Sequence, residues 1–139
     1  MTHYMNGGHV KSCEAKEYGR TEIEIKNDSL LFKGLPKKQT VWMSHGDQVA
    51  ELAEGYVVDA SSDTCPFAAT SNPEKKIYTL QFHPEVRHSE YGNDILKNFV
   101  FEVCQAKNDW SMQSFIDTEI QKIRETVGTD KVLLALLVE

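Results

Sequence analysis

Long apolar runs are scarce in this chain of 139 residues. None approaches the ~20 residues that a membrane-spanning helix needs, so no membrane partner is expected. A basic surplus is missing too. The formal net charge is −6, and a chain without spare lysine and arginine has little with which to neutralise phosphates. Nucleic acid is therefore not an expected partner. The start, "MTHYMNGGHV", has no basic stretch followed by an apolar one, the pattern of a secretory leader. Cysteine is sparse. Cys13, Cys65 and Cys104 are odd in number, far apart, and form no Cys-x-x-Cys pair. This argues against a disulfide frame or a zinc site and for reduced thiols in the cytoplasm. No internal repeat and no low-complexity tract is visible.

What is present is ordinary globular composition, 40% hydrophobic and 26% charged. The length suits roughly one domain of about 100–200 residues. "HYMNGG" reads as a helix end or its loop, punctuated by Gly7 and Gly8. "GRTEIEI" alternates Thr21, Ile23 and Ile25 with Glu22 and Glu24, a strand with one wet face. "QTVWMSHGD" reads as a strand, Thr40 to Met43, running into a polar loop. "YVVDASS" and "IYTLQF" are further short strands, with Gly, Pro, Asn and Ser between the runs as turn formers.

After His83 the period changes. Ile95, Leu96, Phe99, Val100 and Val103 recur at helical spacing and predict a helix from Asn93 to about Gln105 with one face buried. "AKND" is a polar break. Ser111 is placed to cap a second helix whose face is Phe115, Ile116, Ile120, Ile123 and Val127, with Gly128 as its stop. "KVLLALLV" is a continuous apolar run, Val132 to Val138, as in a strand buried on both faces of a parallel sheet. That strand has no neighbour to enter, so the tail reads as the opening of a second domain.

The chemistry concentrates in "QFHPEV". His83 and Glu85 are two positions apart at a strand end, with Pro84 between them. Residues i and i+2 of an extended strand share a face. A histidine moves protons near neutral pH, and a carboxylate beside it fixes its tautomer and stabilises its cation. On spacing alone the commoner arrangement is a surface histidine beside a solvated glutamate, since His-x-Glu pairs are frequent. A metal reading of His83, Glu85 and His88 lacks supporting ligand spacing.

The longer string decides more. "LQFHPEV" resembles the histidine–glutamate signature of the class I glutamine amidotransferases, in which the pair is the base half of a Cys–His–Glu triad. "VWMSHGDQV" resembles the loop of that family that seats the substrate glutamine through backbone groups, here near Ser44, His45 and Gly46. "EYGRTEI" is similar to the strand entry of the same domain. "FVFEVCQAKNDWSMQSFIDTEIQKIRETVGTDKVLLAL" resembles the junction between such a domain and an ATP-pyrophosphatase domain. The resemblance implies an α/β fold: part of an amidotransferase open sheet over 1–109, then the first helix and strand of an α/β ATP-pyrophosphatase domain over 110–139. It implies catalytic roles for His83 and Glu85 and a glutamine seat at Ser44, His45 and Gly46, with no metal ligand in this chain. For the intact protein it implies glutamine, xanthosine monophosphate and ATP as substrates, magnesium on the ATP phosphates, a homodimer, and the cytoplasm as location. An amidotransferase subunit of another pathway and a non-catalytic glutamine-binding or partner-binding module remain alternatives.

The sequence also departs from the family. Its nucleophile lies in a Gly-x-Cys-x-Gly elbow, and no such motif occurs here. Cys13, Cys65 and Cys104 have no flanking glycines and read as structural or incidental. After "KVLLAL" the family carries a Ser-Gly-Gly-Val-Asp-Ser loop that grips pyrophosphate. Here Leu137 stands at its first serine and the sequence reads "LVE". Both ends therefore read as a truncated or frameshifted stretch, binding no ATP or magnesium itself. The family's central strands would precede Met1, so "VWMS" and "IYTLQF" are expected to lack parallel neighbours and the chain alone to fold poorly.

Overall fold

The computed structural model describes residues 1–108 and 111–133, leaving aside the side chains of residues 13–16. It divides into two units, Met1–Ala106 and Lys107–Glu139. No helix among the described residues is long and apolar enough to cross a membrane.

The first unit is built on a five-stranded sheet of order β2-β1-β3-β4-β5. Its strands are β1 (His9–Ile25), β2 (Lys38–Glu51), β3 (Val57–Ser61), β4 (Ala69–Asn72) and β5 (Ile77–Leu80). The pairing is antiparallel throughout, whereas the sequence reading put the parallel neighbours of "VWMS" and "IYTLQF" before Met1 and left those strands without partners in this chain. The connections explain the difference. Residues 73–76 join β4 to β5, far too few for the crossover that parallel neighbours require. Lys76 takes a positive φ of 52° there, and Asn72 Oδ1 accepts the Lys75 N–H at 3.0 Å.

The alternation read in "TEIEI" holds. Ile23 is fully buried between exposed Glu22 and Glu24. In β2 the inward positions are Gln39, Val41 and Met43. β1, however, begins at His9, well before the alternating run. Its first part, "HVKSCEAKE", has no period-2 pattern. Backbone pairing with β2 holds it as a strand, with a register shift between Ser12 and Glu17. β4 is buried at all four positions although it reads "ATSN". Ser71 gives a hydrogen bond to Asp59 at 3.0 Å and Thr70 bonds Thr79 at 2.7 Å, which lets these polar groups sit inside.

The core joins Ile23, Val41, Met43, Ala60, Phe82 and Ile95, with Leu31 and Phe32 from a short 3₁₀ turn (Leu30–Phe32). Helix α1 (Thr2–Met5) docks through His3, which is buried. The Ala53 N–H donates to His3 Nδ1 at 3.2 Å, His3 Nε2 lies 2.8 Å from Thr70 Oγ1, and the ring packs on Tyr56.

Helix α2 (Gly92–Asn98) opens where the sequence places it, then widens into a π turn (Phe99–Val103) closed by Cys104 N–H to Phe99 O at 2.9 Å. The wider turn breaks the 3.6-residue period. Ile95 and Val103 stay buried, while Leu96, Phe99 and Val100 are 40%, 37% and 40% exposed, against the single buried face expected.

In the second unit, helix α3 (Met112–Val127) starts at Ser111, whose Oγ accepts the Ser114 N–H at 3.1 Å, and stops at Gly128, φ +57°. Phe115, Ile116, Ile120 and Ile123 are exposed among the described residues. Val132 and Leu133 are in no regular element. The rest of the strand read in "KVLLALLV" lies outside the described residues, as does Trp110 of the junction string.

Candidate functional site

The site lies where the chain leaves β5. Gln81 N–H still donates to Ala68 O at 2.9 Å. Phe82 then crosses to form a bridge with Met43 of β2, and His83 N–H donates to Trp42 O at 2.9 Å. The two ends of the sheet order, β2 and β5, are thereby brought together. His83 is mounted on that seam.

Three further residues fix it there. Ser89, 6% exposed, accepts the Trp42 N–H at 3.0 Å and donates its hydroxyl to His83 O at 2.5 Å. Glu90 N–H donates to Thr40 O at 2.9 Å. A Cβ on Gly92 would fall 1.8 Å from Pro84 O, so only glycine lets α2 begin against this turn.

Pro84 and Glu85 lie in a turn and not on an extended strand, which corrects the strand geometry read from the sequence. The turn still brings the pair together: His83 Nδ1 is 2.8 Å from Glu85 Oε1. Both side chains are open to solvent, at 44% and 59% exposure. Glu85 is held below the usual carboxylate range, first by its own backbone N–H and next by His83. With Nδ1–H given to an ionised carboxylate, the imidazole keeps Nε2 as its basic atom. His88 packs on Trp42 with ring centroids 4.6 Å apart and takes no part in the pair.

Ser44, His45 and Gly46, the residues expected to seat glutamine, lie just beyond Trp42 and Met43 on β2, within the strand and not in the loop expected. Ser44 is exposed. A Cβ on Gly46 would meet nothing within 4 Å, so the backbone there faces open space. The His45 side chain behaves differently. It is 9% exposed, and its Nε2 sits 3.1 Å from Glu17 Oε2 of β1. It is bonded into the sheet and not to His83.

No described thiol fits the role of nucleophile. Cys65 is fully buried, and its N–H is tied to Ser62 Oγ at 2.9 Å. Cys104 is exposed at the end of the π turn. The sequence reading missed Ser89, Gly92 and Glu17. A serine six residues after the histidine carries no signal until Trp42, 47 residues away, is known to share it.

Comparison with known proteins gives this geometry a context. Residues 1–103 match the family model "Glutamine amidotransferase class-I". The GMP synthase [glutamine-hydrolyzing] of Ligilactobacillus salivarius is 58% identical over 137 residues, 98% of this chain and 26% of the relative. The GMP synthase [glutamine-hydrolyzing] of Bacillus subtilis is 58% identical over 136 residues, again 98% and 26%. The chain thus spans about a quarter of the length of these curated relatives. Among solved structures, a putative GMP synthase subunit from Thermoplasma acidophilum matches with a TM-score of 0.71 and 33% identity, over 87% of this chain and 55% of that one.

Proposed function

The chain belongs to the class I glutamine amidotransferases, and from that membership we propose that it carries the base half of a glutamine-hydrolysing site in a GMP synthase. The observation that carries this reading is the 2.8 Å contact between His83 Nδ1 and Glu85 on a turn anchored to β2. A cysteine thiolate outside the described residues attacks the glutamine side-chain amide. His83, through Nε2, takes the thiol proton, delivers it to the departing ammonia, and then draws a proton from the water that opens the thioester. Glu85 keeps Nδ1 protonated and offsets the positive charge that the ring gains at each transfer. Backbone groups at Ser44, His45 and Gly46 hold the glutamine.

The ammonia then converts xanthosine monophosphate to GMP with ATP as the energy source. Domains divide at 109/110 in this reading, and the assembled protein works as a cytoplasmic homodimer. ATP and its magnesium do not fit the residues here: the sequence has no Ser-Gly-Gly run, and no step involving these residues passes through them.

In a protein of the relatives' length carrying this sequence, His83→Ala is expected to lower glutamine-dependent GMP formation by about 10²–10⁴-fold and to leave synthesis from added ammonium unchanged. Equal loss with both nitrogen sources would make His83 structural.

A further inference from the structure

Behind the strands, Glu17, His45 and Cys65 bring a carboxylate oxygen, an imidazole nitrogen and a thiol to within 4.8 Å of one another. They come from β1, from β2 and from the loop before β4, so no linear spacing reveals them. The cluster is largely shielded: the side chains of Glu17 and His45 are each 9% exposed and Cys65 is 0% exposed. One feature sets the cluster apart from an ordinary buried ion pair. Glu17 Oε2 meets His45, yet Glu17 Oε1 is buried with no hydrogen-bond partner among the described residues. An acceptor oxygen left so is costly.

We propose that Glu17, His45 and Cys65 form a binding site for a thiophilic divalent cation of the zinc type. The donor set is one such a cation takes. Ligand atoms around tetrahedral zinc sit roughly 3.3–3.6 Å apart. The Glu17–His45 pair, at 3.1 Å, is already near that edge length. The thiol completes the face by moving in by about 1.5 Å at most. Charge balances as well. Binding displaces the thiol proton to solvent, and thiolate plus carboxylate neutralise the dication beside a neutral imidazole. Three ligands leave one position for a small molecule such as water. With Cys65 sealed from solvent, the site staples strands and loop together and does not act on substrate. The proposal does not rest on the glutamine reading.

The test is titration of the full 139-residue chain with Co²⁺ and then Zn²⁺. One equivalent of cobalt is expected to bind, with visible bands of a tetrahedral ion and a near-ultraviolet thiolate charge-transfer band, both erased by zinc. Cys65→Ser should abolish the charge-transfer band and weaken zinc binding by at least ~100-fold. Glu17→Gln should weaken it by about tenfold or more. Cys104→Ser should change neither. A wild-type spectrum without the thiolate band overturns the proposal, and so does a band that survives Cys65→Ser or is lost with Cys13→Ser alone. If Cys65→Ser loses its circular-dichroism signal, Glu17→Gln decides: cobalt binding undiminished in that variant overturns the site.

Discussion

Ser89 ties β2 to the segment after β5 with one hydroxyl, taking the Trp42 N–H and giving its own proton to His83 O. Glu85, by contrast, touches the ring from the solvent side, at 59% exposure. An exposed carboxylate is screened by water, so in the proposed reaction Glu85 would orient the ring more than it lowers the barrier. Glu85→Gln is therefore expected to cost about 10–100-fold in glutaminase rate, less than His83→Ala. An unchanged rate in an ammonia-release assay would demote Glu85 to a bystander. His3 illustrates the opposite environment. Burial first, and the nearby N-terminal charge second, hold its imidazole below the usual 6.5. The unfolded chain then binds more protons than the folded one as pH falls through that value. Stability is full above pH 6.5, declines as the pH drops toward the folded-state value, and levels off below it. Thermal unfolding from pH 8 to pH 5 should show this acid decline, and His3→Gln should flatten it. Removing the ring outright, His3→Ala, leaves the Thr70 hydroxyl and Ala53 N–H without it and should cost about 1–3 kcal/mol.

Elements differ in how far their own residues announce them. α3 was legible at both ends because its signals are local: Ser111 caps Ser114, and Gly128 takes the left-handed turn. The face of α2 was legible at Ile95 but not at Leu96, already 40% exposed before Asn98, and nothing in "FVFEV" marks the π turn that follows. β1 was legible only where isoleucine alternates. From His9 to Ser12 its order comes from β2, a partner more than thirty residues on. The His83–Glu85 contact was legible because two residues two apart can meet on a strand or in a turn. The parts that hold it, Ser89 and Gly92, were not, since each matters only through a tertiary neighbour. Gly92 is the sharper case. Gly92→Ala places a methyl group against Pro84 O, and overpacking of this kind costs about 1–3 kcal/mol. Urea unfolding should show that loss. In the longer protein the same change should lower glutamine-dependent activity more than ammonia-dependent activity, because relief of the clash moves the turn that carries His83 and Glu85.

At the scale of the whole chain, the expected shortage of sheet partners is eased by antiparallel pairing. β2 is matched along nearly its full length by β1, and β5 is matched by β4 at all four positions. The chemistry is not completed in the same way. Cys65 is sealed in the core and Cys104 ends a helix, so the purified 139-residue chain should release no ammonia from glutamine above the buffer blank. Turnover by this chain alone would mean that one of its own thiols is the nucleophile. The seam that carries His83 is thin. It has one bridge, Met43 to Phe82, and a few single bonds beside it, from the His83 amide, the Ser89 hydroxyl, the Glu90 amide and the Gln81 side chain, whereas Ile23 and Val41 lie deep in a long ladder. A zipper closed by so few teeth opens far more often than the cloth on either side. In hydrogen–deuterium exchange the His83 amide should lose its proton long before those of Ile23 and Val41, through a local opening that leaves the rest of the sheet shut. The histidine is thus free to breathe while the frame behind it stays still.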